Sequence, residues 1–236
     1  MENLLLGPCY ITTITYKVNM KKLIIAILGL TLACFSANAF ERKIGFSASM
    51  AMLDTTVTDD IDSNGTINTT KDISNDVLIP SLFLEFATDL PNGGKASFGV
   101  DYIPMSAELE SRSTTQSSNG TSGTNSGTLD ASNHVTAYVT LGGDVAGNHV
   151  FALAGMMYAE GEYDLKSVSS TNRTGDVIIQ GTKLGVGIER DMGEGFMRVV
   201  LSDNDYDPVS ATTSNATKVT ADIDSTNLTV SFGRSF

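Results

Sequence analysis

The 236-residue chain has no tryptophan, two histidines, two cysteines and five prolines, and only 18% of its residues are charged. Each shortage closes an option. Fifteen basic against 27 acidic residues, a net charge of -12, leave nothing to neutralise a row of phosphates, which excludes nucleic acid as a partner. Both cysteines, Cys9 and Cys34, lie near the N-terminus, so residues 40–236 can form no disulfide and no cysteine-ligated metal site. Beyond residue 39 no apolar run approaches the ~20 residues of a transmembrane helix. What is present is 41% hydrophobic residues and 22 glycines among abundant Ser, Thr and Asn, with a mean hydropathy of +0.03. Scarce charge beside plentiful apolar and small polar residues is odd for a cytosolic enzyme. It suits strands that alternate between lipid and a polar interior.

The N-terminus stands apart from the rest. Met20-Lys21-Lys22 precedes the apolar run Leu23 to Phe35 and then Ser36-Ala37-Asn38-Ala39. A basic start, a short apolar stretch and an Ala-x-Ala end predict a secretory signal peptide, cleaved before Phe40. The stretch is short for a spanning helix, and a lipoprotein signal at Cys34 would need a small residue in place of Leu32. Residues 1–19 carry no export logic, so Met20 is the expected initiator. The chain therefore divides into an extension plus signal peptide, 1–39, and one exported domain, 40–236. Losing Glu2, Lys17, Lys21 and Lys22 makes that domain still more acidic. If it crosses a membrane, it does so with strands.

Period-two segments fill it. Ile44, Phe46, Ala48, Met50 and Met52 alternate with Gly45, Ser47, Ser49 and Ala51, and Leu78, Pro80, Leu82, Leu84 and Phe86 alternate with Ile79, Ser81, Phe83, Glu85 and Ala87. The same pattern runs through Phe98–Tyr102, Val135–Leu141, Leu184–Ile188, Met197–Leu201 and Leu228–Phe232, while 150–158 is apolar on both faces. Alternation is the strand signature, and no segment offers a comparable helical stripe. The count is eight. Three connections are short and repeat Asp, an apolar residue and glycine: Asp89–Gly94, Asp144–Asn148 and Asp191–Gly195. Such turns suit tight hairpins. The other four, roughly 53–76, 106–132, 162–176 and 203–222, are long and polar, and Ser111–Gly127 is expected to be a mobile loop. Alternating short and long connections put all long loops at one end of a barrel, as outer-membrane barrels do.

Leu228, Val230, Phe232 and Phe236 share one face of the last strand, and the chain ends on Phe236. This resembles the C-terminal signal of bacterial outer-membrane proteins, which periplasmic chaperones and the barrel-assembly machinery read. Arg234, on the same face, departs from the pattern. With the signal peptide and the strand count, the exported domain resembles the small eight-stranded barrels of the OmpA/OmpX/OmpW type. The resemblance implies an all-β, eight-stranded antiparallel up-and-down transmembrane barrel, with short periplasmic turns and long extracellular loops. It implies a monomer in the bacterial outer membrane, in contact with lipid and lipopolysaccharide and needing no cofactor.

Eight strands leave an interior just wide enough to be filled by side chains. Alternation sends Glu85, Asp101, Lys183, Glu189 and Arg198 inward, where charges must pair. Gly99, Gly185, Gly187 and Gly233 face the same way and are expected to leave room for water. Two functions follow. The favoured one is a non-enzymatic envelope protein whose barrel anchors surface loops for interaction and membrane integrity. The alternative is a small porin-like channel or carrier for ions or small solutes. Catalysis would need a histidine at the outer rim beside a carboxylate or serine; His134 with Asp130 and Ser132 is the nearest approach, and His149 lies at a periplasmic turn. Asp60, Asp62 and Asn64 open like an EF-hand calcium loop, but Lys71 stands where that loop requires glutamate.

Overall fold

The computed structural model describes residues 40–60, 65–91, 93–118, 121–166, 173–212 and 218–236. The expected signal peptide, with Cys9 and Cys34, lies outside the described residues. Nine strands follow one another: β1 (Glu41–Asp60), β2 (Thr69–Asp89), β3 (Gly94–Ile103), β4 (Ala107–Ser118), β5 (Thr121–Val145), β6 (Asn148–Lys166), β7 (Arg173–Asp191), β8 (Gly195–Thr212) and β9 (Lys218–Ser235). All neighbours are antiparallel. β1 pairs with both β2 and β9, and the order continues through β8, β7 and β6 to β5. β3 closes the ring by pairing with β2 on one side and β5 on the other, and β4 continues along β5 after a break at Pro104–Ser106. Nine segments thus make eight staves of one closed up-and-down barrel.

Closure leaves no sheet edge through the lower barrel, which in lipid would cost several kcal/mol for every unpaired backbone group. The seam joins first and last strands over their whole lengths, from Lys43↔Ser235 to Asp60↔Lys218. At its lower end Phe236 exchanges both backbone hydrogen bonds with Arg42, at 2.9 and 3.2 Å. Phe46 and Phe232 pack across the seam on the outer face, ring centroids 5.9 Å apart.

The solvent rule for globular proteins is inverted. Met156 is 73% exposed, Leu184 63% and Phe46 58%, while Lys43 is 1%, Glu85 2% and Arg198 5%. Large apolar side chains outside and charges inside fit only an exterior of lipid. On β1 the outward apolar row runs from Ile44 to Met52. Those nine residues rise ~3.3 Å each, and a tilt of about 40° brings the row to ~23 Å, close to the ~25 Å band of transmembrane barrels. The doubly apolar stretch in β6 resolves by the same test: Phe151, Leu153 and Met157 point inward and Met156 outward.

The short connections are the tight turns expected. Gly93, Gly147 and Gly193 each hold φ near the left-handed region, at 77°, 77° and 82°. The long connections differ from expectation. β1 stays paired with β2 as far as Asp59↔Thr69, and β4 with β5 through Ser118↔Thr121, inside the stretch expected to be a mobile loop. The physical reason is that Thr- and Ser-rich arms support one another across the ladder. Thr56 donates to Asp72 at 2.8 Å, Ser74 to Asp54 at 2.5 Å, and Ser210 and Thr220 bond at 2.9 Å. Above the lipid belt the outward face turns polar while Val57, Leu129, Ala221 and Ile223 turn inward, so the lipid-facing apolar row ends while the strands continue.

Candidate functional site in the barrel lumen

The lower lumen is filled. Arg198, on β8, donates from Nη1 and Nη2 to both carboxylate oxygens of Glu85 on β2, at 2.7 and 2.8 Å. The same guanidinium reaches Glu189 on β7 from Nε and Nη2, at 2.8 and 2.5 Å. Lys43 on β1 pairs with the other oxygen of Glu189. Tyr138 on β5 donates its hydroxyl to Glu85 at 2.9 Å. Two cations and two carboxylates from four staves balance, which is the condition for burying them. Three phenylalanine rings flank the guanidinium, with centroids 5.5 Å (Phe83), 5.2 Å (Phe151) and 5.4 Å (Phe196) away, and Lys43 lies over Phe196 at 5.1 Å.

Glycines make this packing possible, and here the expectation of water-filled room is corrected. A Cβ on Gly99 would stand 2.4 Å from the ring of Tyr138, on Gly187 2.3 Å from Phe151, on Gly233 2.5 Å from Phe196, and on Gly45 2.7 Å from Phe83. Each glycine is the seat of an aromatic ring from a neighbouring strand, a close approach only glycine permits. Gly185 seats no ring; its Cβ would meet Leu201 backbone at 2.8 Å and Ser202 at 2.9 Å.

Asp101 and Lys183 lie apart from this network, higher in the lumen, on the floor of a cavity of about 190 Å³. Asp101 accepts from Ser81 at 2.8 Å. Asn204 and Asn227 share that floor, while Leu53, Met157, Ala159, Ile179 and Ile223 form the walls. Above, Val57, Leu129, Ala221 and Ile223 pack into an apolar cluster with Tyr163 and Tyr206 against it. The five charges expected inside are therefore all inside, split between the buried ion-pair network and the cavity floor. Sequence reasoning missed Lys43, Tyr138 and the three phenylalanines. The available signal was an inward aromatic on one strand matched to an inward glycine on the next.

The rival sites do not assemble. A bulge in β5, with Asn133 at φ 52°, turns His134 inward, where its Nε2 lies 3.3 Å from the Tyr206 hydroxyl. Asp130 is exposed on the outside, and the Ser132 hydroxyl lies 3.5 Å from the Glu160 carbonyl oxygen. His149 sits at its turn, 3.1 Å from Asp144 and stacked on Phe151. Asp60 accepts from the Gly65 amide at 2.8 Å, while Asp62 and Asn64 lie outside the described residues. Among the described residues no cluster of three or more His, Asp or Glu could hold a metal ion. At the C-terminus, Leu228 and Phe232 face outward with Phe236, as expected, and Arg234 is held by Glu194 at 2.6 Å and lies over the Phe236 ring at 5.4 Å.

A closed antiparallel ring with an apolar outer belt and a charged, filled interior defines a small outer-membrane β-barrel of eight staves, whose place is the bacterial outer membrane. No protein-family profile matches the chain, and no curated protein matches it either. Its fold is similar to that of solved outer-membrane proteins at low identity. The attachment invasion locus protein Ail of Yersinia pestis, solved with the heparin analogue sucrose octasulfate, is 9% identical with a TM-score of 0.43, over 84% of this chain and 99% of that one. The outer-membrane protease OmpT of Escherichia coli is 7% identical with a TM-score of 0.46, over 85% and 99%. OprG of Pseudomonas aeruginosa is 14% identical with a TM-score of 0.44, over 84% and 96%.

Proposed function

We propose that the protein is a monomeric, non-enzymatic outer-membrane barrel, sealed to ions, which holds long paired arms at the cell surface for interaction and membrane integrity. The observation that carries this reading is the network of Lys43, Glu189, Arg198 and Glu85 under its three phenylalanine rings. An ion passing down the lumen would have to break charge-assisted bonds that have no replacement there. A lumen filled in this way serves as a rigid post. The arms from Asp54 to Asp60, Ser126 to Ser132, Glu160 to Lys166 and Asp203 to Thr212 project above the belt from that post, in keeping with loops that vary on a fixed scaffold. Lipid and lipopolysaccharide surround it. Residues 20–39 act as export signal, and Phe236 with its outward row marks the last strand for chaperones and the assembly machinery.

The test is electrical. Purified protein reconstituted in a planar bilayer should show no steady unitary conductance. Steady, ohmic, cation-preferring openings of the unmodified protein would overturn the sealed reading and return the porin-like alternative to first place.

A further inference from the structure

The bulge in β5 re-aims two side chains at the outer edge of the lipid belt. Ser132 pairs with Glu160 and Val135 with Tyr158, so Asn133 and His134 together oppose Ala159 alone. His134 turns into the lumen, while Asn133, at φ 52°, turns out and is exposed. A positive φ in a residue other than glycine costs free energy, and its surroundings must hold it there. Here the holding contacts lie on the outside of the barrel. Asn133 Nδ2 donates to Glu160 Oε2 at 2.7 Å, and the Tyr102 hydroxyl donates to Asn133 Oδ1 at 3.3 Å. One amide thus ties β3, β5 and β6 together and fixes where the Glu160 carboxylate stands.

A second, independent observation concerns the tyrosines. Tyr138, Tyr163 and Tyr206 pack inside, so among the described residues only Tyr102 and Tyr158 face out. A general aromatic girdle would spread them around the circumference. Instead both flank Val135, Tyr102 paired with it from β3 and Tyr158 from β6. Strands ~4.8 Å apart put the two Cα atoms about 10 Å from each other. Below them Ala137 and Met156 continue the lipid-facing rows, Met156 at 73% exposure. Above them Asp130 and Glu162 are paired across the ladder and exposed. Among the described residues no cation is bonded to Glu160.

We propose that this patch docks the ammonium headgroup of a membrane lipid of the ethanolamine or choline class. The cation lies between Tyr102 and Tyr158 and against Glu160, and the acyl chains descend over Ala137 and Met156. Side chains stand roughly perpendicular to the sheet. An ammonium midway between the two tyrosines is therefore about 5 Å from each, within the ~6 Å reach of a cation–π contact. Glu160 supplies the opposite charge, and its second oxygen accepts from a primary ammonium. Charge decides against a purely anionic headgroup, which would meet Glu160, Asp130 and Glu162 with like sign. Continuity decides for a lipid over a soluble amine, because the patch is the upper end of the belt's own apolar rows. Such docking rests on the membrane-embedded barrel and not on its sealed lumen, so ion conductance would leave it standing.

The experiment places the protein in nanodiscs of deuterated phosphatidylglycerol and adds phosphatidylcholine with deuterated chains in steps. The readouts are the methyl shifts of Val135, between the tyrosines, and of Leu228, on the opposite side of the belt. NOEs from the trimethylammonium protons to the tyrosine rings are recorded with them. Val135 should titrate saturably, well before the lipid is replaced, while Leu228 drifts in proportion to composition. The NOEs should appear at Tyr102 and Tyr158. Glu160→Gln should weaken the site about tenfold, as expected for losing one charge-assisted bond. Tyr102→Leu with Tyr158→Leu should abolish it while heat-modifiable gel migration is kept, and Glu160→Gln alone decides the matter if that double variant does not fold. Parallel, linear shifts of Val135 and Leu228, or a Glu160→Gln protein that titrates unchanged, would overturn the proposal. So would equal saturation by tetramethylammonium chloride, which would make the ligand a soluble cation and not a lipid.

Discussion

Replacing Arg198 by methionine is the sharpest perturbation of the lumen. Methionine keeps much of the side-chain volume but removes the bonds to Glu85 and Glu189, and the network changes from two cations and two carboxylates to one against two. Glu85, 2% exposed, keeps only the Tyr138 hydroxyl, while Glu189 keeps Lys43. Breaking a buried pair by removing one partner costs about 3–5 kcal/mol, because the other charge is stranded. With a urea slope of about 2–3 kcal/mol/M, that loss lowers the unfolding midpoint by about 1–2.5 M. The assay is urea unfolding of vesicle-inserted protein, read from the fraction that retains heat-modifiable migration. Adding Glu85→Leu restores balance and should return about 2 kcal/mol, since contacting groups couple strongly. A single variant costing less than about 1 kcal/mol, or a double variant no better than the single, would refute the charge-balance argument.

Gly187→Val should destabilise by about 1–3 kcal/mol, because its Cβ meets the Phe151 ring at 2.3 Å, whereas Gly143→Val, with nothing nearer than 4.0 Å, should be neutral in the same urea assay. Asp224, on the surface arms, has its carboxyl raised by partial desolvation and by the charges of Asp205, Asp222, Asp203 and Asp54. Its ionised form is therefore penalised in the folded state at neutral pH and relieved as pH falls through the raised value. Asp224→Asn should stabilise at neutral pH and lose that advantage on acidification, measured as urea midpoints across the carboxylate range. Deleting Phe236 should lower outer-membrane yield more than trimming Ser117–Gly123, because Phe236 alone carries the last pair of backbone bonds to Arg42; equal yields at low expression would count against the C-terminal reading.

How much of this was legible in the sequence depended on which solvent each face met. Where lipid lies on one side and a polar interior on the other, as from Ile44 to Met52 or Leu228 to Phe232, alternation specified strand and facing together. Glu85, Asp101, Lys183, Glu189 and Arg198 were all legible as inward for the same reason. Above the belt the lipid-facing apolar row ends, and strands such as Thr69–Asp76 and Thr121–Asp130 looked like loops although their backbones stay paired. Lys43 escaped notice because it precedes the first clear apolar position of β1, yet it balances Glu189. The glycines were placed correctly and interpreted wrongly. Gly99 and Tyr138, or Gly187 and Phe151, are far apart in sequence and meet only once the strand register is known.

The central claim is that alternate residues of each stave face lipid and lumen, and spin labelling along β9 tests it most directly. Residues 40–236 hold no cysteine, so single cysteines can be placed at 226 through 232 of that segment without background. In lipid vesicles, labels at Leu228, Val230 and Phe232 should collide readily with dissolved oxygen and poorly with a water-soluble nickel chelate, while labels at Asn227, Thr229 and Ser231 should be shielded from oxygen and immobilised. A period of two in oxygen accessibility is the expected result. Nickel accessibility at Leu228, Val230 and Phe232 equal to that of the surface arms would contradict it, since those side chains would then face water.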